Sequence, residues 1–382
     1  MKRLESKLPA VGTTIFTVMT QLANEHGAVN LSQGFPNFEP PSGLIERVEH
    51  YLGTRCHQYA PMPGSMPLRT AIAAKLQGLY GVTASPDTEI TITSGATEAI
   101  FCAIQAVVRR DDEVIVLDPC YDSYEPSITL AGGRAVHVAL QPPTFEIDWE
   151  RLEAALSPRT RLVIINTPHN PAGTVISASD LDRLAELMRP YDCYLLSDEV
   201  YEHVVFDGRR HATALAQAEL RPKCFEVFSF GKTYHATGWK LGYCVAPPEL
   251  TAELRRVHQY VQFASTSPLQ LALADYMREH PEHHLGLPTF YEERRDYFNR
   301  LLADTKLKVR PAAGTYFQLA DYSDISDLPD VEFARWLTVE HGVATIPISV
   351  FYREPPAAKL VRFCFAKENE TLDEAARRLR AL

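Results

Sequence analysis

Lys232 stands just after an apolar run at 224–228. It lies inside Ser229-Phe230-Gly231-Lys232-Thr233-Tyr234-His235-Ala236-Thr237-Gly238-Trp239-Lys240-Leu241-Gly242-Tyr243, a stretch dense in glycine and hydroxyl groups. Most lysines are solvated surface charges. One held partly out of water gives up its proton more readily, and the free amine attacks carbonyl carbon. A second residue of this kind is Asp198, in Leu195-Leu196-Ser197-Asp198-Glu199-Val200-Tyr201, at the end of another apolar run. A carboxylate there is costly unless something pairs with it. A partner that must stay protonated, such as a ring nitrogen, would supply the pairing; an aspartate that merely caps the next turn is the other reading.

Two further segments belong with these. Thr93-Ser94-Gly95-Ala96-Thr97-Glu98 ends one apolar run and begins a helical pattern. Gly95 lets the backbone approach an anion, and the free N–H groups and dipole of a helix start would hold a phosphate. Taken alone it is also an ordinary capped helix start. Asn166-Thr167-Pro168-His169-Asn170-Pro171-Ala172-Gly173-Thr174 follows the run 161–165. Its prolines and glycine make a rigid loop, and the proline after Asn170 biases that residue to an extended backbone that can aim its amide inward; a plain turn is the alternative. All four segments fall, in order, where strands end, and open α/β sheets bind ligands at the carboxyl ends of their strands.

The elements that must position them follow from periodicity. The segments 89–93, 113–117, 161–165, 193–196, 224–228 and 241–245 read as short buried strands, and 96–108 as a helix with apolar residues at helical spacing. Continuous apolar runs alternating with helices predict an α/β fold whose mostly parallel sheet is covered on both faces. With 382 residues, two domains are expected. Residues 1–40, broken by proline and glycine, read as an N-terminal arm, part of the smaller domain, with one helix at about 14–26. Residues 41–285 form the large α/β domain. Residues 286–382 form a smaller α+β domain with a helix at about 288–303, a strand at 314–319, a helix at about 330–341, strands near 343–346 and 360–365, and a final helix.

Composition narrows the class. Hydrophobic residues make up 46% of the chain and charged residues 23%, enough for a sizeable core. The net charge of −10, from 38 basic and 48 acidic residues, argues against nucleic acid or an anionic membrane as the main partner. The seven cysteines are scattered without a C-x-x-C, so neither a disulfide framework nor a metal site is suggested. No apolar leader follows the first residues and no run is long enough to span a membrane, so a cytoplasmic protein is expected.

With these residues in hand, the chain resembles the class I and II aminotransferases of the aspartate aminotransferase fold, pyridoxal 5′-phosphate (PLP) enzymes of fold type I, over essentially its whole length. Within that family it is most similar to the subgroup of bacterial methionine aminotransferases, kynurenine aminotransferases and glutamine transaminase K. The stretches that carry this are Leu31-Ser32-Gln33-Gly34-Phe35-Pro36, Gln58-Tyr59-Ala60-Pro61, Asp118-Pro119-Cys120-Tyr121-Asp122-Ser123-Tyr124-Glu125-Pro126, Val257-His258-Gln259-Tyr260 and Arg362-Phe363-Cys364-Phe365-Ala366-Lys367.

The resemblance implies that Lys232 bonds the cofactor aldehyde and that Asp198 keeps the pyridine nitrogen protonated. Tyr201 and Asn170 would bond the ring oxygen, and Tyr121 would stack on the ring. Ala96, Thr97, Ser229 and Lys240 would take the phosphate, with Tyr59 reaching it from the other subunit of a homodimer. Arg362 would grip the substrate carboxylate, helped by Asn170 and the Gly34 backbone. Two departures from the aspartate enzyme matter. Lys240 stands where that enzyme has arginine, as in the methionine and kynurenine subgroup. The stretch 260–269 has no arginine where the dicarboxylate enzymes carry a second one. Aspartate and glutamate are therefore not the expected donors. Phe16, Tyr59 and Phe263 would line a pocket suited to methionine or an aromatic side chain. The expected substrates are an amino acid and a 2-oxo acid. The alternatives are kynurenine or glutamine transamination, with β-elimination on cysteine conjugates, and a non-catalytic PLP-binding protein.

Overall fold

The six apolar runs all form strands, and a seventh joins them. The computed structural model describes residues 4–382; Met1, Lys2 and Arg3, with which the expected arm begins, lie outside the described residues. The sheet runs in the order Ile90–Thr93, Gly242–Val245, Cys224–Ser229, Tyr194–Asp198, Thr160–Asn166, Glu113–Asp118 and Arg134–Ala139. Only Gly242–Val245 is antiparallel to its neighbours; the pairs from Cys224–Ser229 outward are parallel.

The alternation of strand side chains explains why the runs are continuously apolar. Val114, Val116, Leu162, Ile164 and Val227 face helices Gly95–Val107 and Pro248–Val261. Ile115, Leu117, Val163, Ile165 and Leu195 face Trp149–Ala155 and Ala178–Met188 on the other side. Both faces are thus removed from water, at about 1.5–3 kcal/mol for each fully buried aliphatic side chain. The seventh strand, Arg134–Ala139, was not expected from the sequence. It pairs only with Glu113–Asp118 at the sheet edge and carries Arg134 and His137 among its apolar residues, so it has no apolar run.

The last third forms a second, four-stranded antiparallel sheet in the order Ile346–Pro347, Leu360–Cys364, Phe317–Asp321 and Lys308–Val309. Helices His283–Leu302, Asp330–His341 and Asn369–Leu379 pack with it. Three boundaries differ from expectation. The long helix starts at His283, with Pro288 inside it, although a proline favours the first turn because it lacks a donor. The strand expected at 314–319 begins at Phe317, because Thr315 takes a left-handed φ of 64°. The strand expected at 343–346 is split: Val343–Ala344 pairs with Val29–Asn30, and Ile346–Pro347 joins the second sheet. The first of these pairings lays the N-terminal segment, with its helix Ile15–Glu25, on this second half. Among the described residues, no helix is long and apolar enough to cross a membrane.

Candidate active site

The sheet places the expected residues at one edge. Thr93 and Ser229 both pair with Gly242, Asp198 pairs with Val227, and Asn166 pairs with Asp198. Because Gly242 begins an antiparallel strand, it lies level with the carboxyl ends of its neighbours. The loops leaving this edge enclose a cavity of about 300 Å³. Lys232, Asp198, Tyr201, Asn170, Tyr121 and Arg362 line it, as do Gly34, Phe16, Ala96, Thr97, Ser229 and Lys240. Tyr59 and Phe263 do not. Tyr59 is 85% exposed and Phe263 42% exposed, and their rings meet edge to face at 5.5 Å outside the cavity.

Asp198 is buried at the end of its strand. The Tyr124 hydroxyl donates to its Oδ2 at 2.7 Å, and the Val200 amide donates to its Oδ1 at 3.3 Å. Burial pushes the carboxyl up to about 6, while the Tyr124 hydroxyl, the Val200 amide and Lys232 pull it back. The Asn166 amide donates to the Asp198 carbonyl at 2.9 Å and its Oδ1 accepts from the Asn170 backbone at 2.7 Å. The aspartate and the 166–174 loop are thereby locked together.

Lys232 is half-buried in the short helix Phe230–Thr233. Its Nζ donates to the Gly34 carbonyl at 3.1 Å and sits 5.5 Å from the Tyr201 ring centre and 5.6 Å from that of Tyr316. Burial lowers the amine to about 8, and the Arg362 and Lys240 cations push the same way. Tyr316 also donates to the Gly34 carbonyl, at 2.7 Å. A Cβ at Gly34 would lie 2.8 Å from Phe317 Cζ, so any larger residue here would have to displace that ring.

Arg362 is a cation buried to 1% exposure whose polar partners are neutral. It donates to Asn170 Oδ1 and to the Ser32 carbonyl, both at 2.8 Å. Its Nε is buried without a partner, and its guanidinium lies 3.9 Å over Phe317 and 5.3 Å from the Phe16 ring centre. Burial lowers it to about 10. A buried charge of this kind is expensive until an anion meets it, and a guanidinium fork matches a carboxylate.

The other end of the cavity is positive as well. Gly95, at φ 78°, opens the helix Gly95–Val107. Lys240, also left-handed at φ 52°, brings its Nζ to 3.5 Å from where a Gly95 Cβ would sit. A helix N-terminus and an ammonium facing each other repel unless an anion lies between them. Among the described residues Lys240 has no ion pair. Tyr121, whose phenol is raised by burial, lines the same cavity and touches the Thr97 hydroxyl at 3.4 Å. The residues present therefore fit PLP: a nucleophilic lysine, a buried acid for the ring nitrogen, an anion cradle for the phosphate, and a separate guanidinium for a carboxylate.

Sequence reasoning did not single out five participants: Tyr124, Asn166, Ser32, Tyr316 and Phe317. Tyr124, Asn166 and Ser32 lie inside stretches already marked for other residues, which was the available signal. Tyr316 and Phe317 carried none.

The sequence profile of aminotransferase class I and II matches residues 26–379. The methionine aminotransferase of Escherichia coli (strain K12) is 54% identical over 378 residues, which are 99% of this chain and 98% of that protein. Human kynurenine–oxoglutarate transaminase 1 is 32% identical over 99% of this chain and 98% of its own. Among solved structures, an E. coli protein reported to have a methionine aminotransferase function superposes with a TM-score of 0.97, at 53% identity over the whole of both chains.

Proposed function

The chain belongs to the class I and II aminotransferases, a PLP-dependent family, and within it we propose that methionine is the amino donor, with aromatic or other neutral amino acids accepted beside it. The α-amino group passes to a 2-oxo acid in two half-reactions of a ping-pong cycle. The observation that carries this reading is the convergence of Lys232, Asp198 and Arg362 on one cavity, with Phe16 and Phe317 along the guanidinium. A thioether packs favourably against aromatic rings, and no second arginine offers itself to a side-chain carboxylate among the residues lining the cavity.

We assign the roles as follows. When bound, PLP supplies an aldehyde for the amino group and a protonated ring that takes up the electron pair left at Cα. Asp198 holds the proton on the ring nitrogen, and Tyr124 and Asn166 hold Asp198. Tyr201 and Asn170 would bond the ring oxygen, and Tyr121 would cover the ring. Ala96, Thr97, Ser229 and Lys240 would hold the phosphate. Arg362 clamps the substrate carboxylate, aided by Asn170 and the Gly34 backbone, and so aims the Cα–H bond. The Lys232 amine, once free, takes the Cα proton as general base. Phe16 borders the substrate side chain.

Tyr59, exposed on its own subunit, reaches the phosphate of a second, and Phe263, packed on Tyr59, borders the substrate side chain there; this requires a homodimer, and sedimentation that gave a monomer at working concentration would overturn it. The chain divides into the arm at 1–40, which is part of the small domain, the large domain at 41–285 and the rest of the small domain at 286–382. The seven-stranded and four-stranded sheets support the division into large and small domain, and the two-stranded pairing of Val29–Asn30 with Val343–Ala344 supports joining the arm to the small one. The same reading places the enzyme in the cytoplasm. A second reading, kynurenine or glutamine as donor, is favoured by the kynurenine transaminase relatives. Parallel kcat/KM values for methionine, phenylalanine, kynurenine and glutamine test the choice. Methionine should lead; kynurenine or glutamine leading by tenfold would transfer the assignment.

A further inference from the structure

Behind the phosphate cradle lies a buried cluster that the proposed chemistry does not use. His258, at 0% exposure in helix Pro248–Val261, places Nδ1 2.5 Å from Glu98 Oε1 and Nε2 3.0 Å from the Met62 carbonyl. The other Glu98 oxygen accepts the Ser94 backbone N–H at 2.5 Å, at the start of helix Gly95–Val107. The Cys102 thiol touches Glu98 Oε1 at 3.5 Å. Met62 belongs to the loop that carries Tyr59. Three more bonds pin that loop: Ser267 to the Gln58 carbonyl at 2.6 Å, Ile92 N–H to the Pro63 carbonyl at 2.9 Å, and Ser65 N–H to Gln270 Oε1 at 2.7 Å.

Donor counting fixes the protons. A carbonyl only accepts, so His258 Nε2 must carry a hydrogen. The contact between Nδ1 and Glu98 then holds one more proton, on the imidazole or on the carboxyl. Either way the imidazole spans two elements: the first turn of the helix that faces Lys240, and the loop bearing Tyr59. With Nε2 spent on a carbonyl and Glu98 bonded on both oxygens, the cluster offers no free ligand to a metal, although its donor atoms lie within 4.8 Å of one another.

We propose that His258 is a positioning residue for the cofactor phosphate: with Glu98 it braces the helix start at Ser94–Gly95, which faces this subunit's phosphate, against the 58–64 loop, whose Tyr59 serves the partner's, so that the two sites keep one geometry. This rests on the reading that the phosphate sits at that helix start. His258 does not touch the reacting atoms, so its loss weakens the hold on the cofactor and leaves the chemical step of loaded enzyme largely intact.

The donor pattern also separates a brace from a charge effect. In Glu98→Gln the amide oxygen can still accept from Ser94 N–H, and the amide nitrogen can donate to His258 Nδ1 with Nε2–H kept on Met62. All three bonds survive without the shared proton. His258→Phe loses the bonds to Glu98 and Met62, and Glu98→Ala loses those to Ser94 and His258, so either breaks the brace.

The test is the dissociation constant for PLP, measured by absorbance on the full-length chain freed of cofactor, with kcat at saturating PLP and a thermal melt alongside. The expected result is a rise of at least tenfold for His258→Phe and Glu98→Ala, kcat within threefold of wild type, and Glu98→Gln within threefold in dissociation constant. Unchanged affinity in His258→Phe overturns the proposal, as does a Glu98→Gln loss equal to that of Glu98→Ala. If His258→Phe does not fold, the contrast between Glu98→Gln and Glu98→Ala decides. Lys240→Met separates the premise from the inference. If it leaves PLP affinity unchanged, the phosphate assignment itself fails. If it weakens PLP while His258→Phe does not, only the brace fails.

Discussion

Asp198 and Arg362 are both charges placed where the fold alone gains nothing from them. For Asp198 the consequence is measurable. Burial raises its carboxyl from the ordinary 3.8 to about 6. The folded chain without cofactor therefore binds this proton more tightly than the unfolded chain does. The group favours folding fully below about pH 4 and loses that contribution as pH rises through about 6. At pH 7 the ionised carboxylate weighs against the cofactor-free fold by roughly 3 kcal/mol. We predict that Asp198→Asn, freed of cofactor, unfolds at higher urea than wild type at pH 7, and that the gap narrows toward pH 4. The same variant cannot hold a ring proton by charge, so its transamination rate should fall by at least about 100-fold. Equal urea midpoints at pH 7 would show that the carboxylate is not under strain. At this scale the sequence displayed the charged actors, because lysine and aspartate at the ends of apolar runs are locally anomalous. It did not display their partners. Tyr124 reaches Asp198 from 74 residues away, and Ser32 meets Arg362 from 330 residues away; only the folded chain brings them together.

Among the elements, the helix start at Gly95 and the strand beginning at Gly242 are pressed together. A Cβ on Gly242 would lie 2.6 Å from the Phe228 carbonyl and 2.9 Å from the Ala96 nitrogen, both backbone atoms that cannot swing aside. Gly242→Ala must therefore shift the sheet edge or the helix. We expect a stability loss of about 1–3 kcal/mol by urea denaturation, together with weaker PLP binding; an unchanged urea midpoint and PLP affinity would mean that this contact does not set the cradle. The strands of this sheet were legible because both faces are buried and most of their residues are apolar. Arg134–Ala139 was not, since an edge strand mixes in charge. In the second half the pattern at 343–346 read as one strand, but two different partners, Val29–Asn30 and Leu360–Cys364, divide it at Thr345. Such choices are made by tertiary pairing, which local periodicity does not encode.

At the scale of the whole molecule, two sheets and the N-terminal segment enclose one cavity with a positive group at either end, the Lys240 and helix cradle on one side and Arg362 on the other. The order of the four motifs along the sequence already implied the Lys232 and Lys240 side of this arrangement, because each fell at a strand end; Arg362, inside the strand Leu360–Cys364, came from the family resemblance alone. What the sequence could not place was the exposed pair Tyr59 and Phe263, whose use depends on a second subunit. The central claim is that this cavity holds PLP on Lys232 and takes the amino group from methionine. It is tested most directly by recording the visible spectrum of the purified protein and then adding methionine with no oxo acid present. The account predicts an absorbance band from lysine-bound cofactor, absent in Lys232→Ala, that is replaced by the pyridoxamine 5′-phosphate spectrum as methionine is added. A protein that shows no such band even after added PLP, or a band that methionine leaves unchanged, would contradict it.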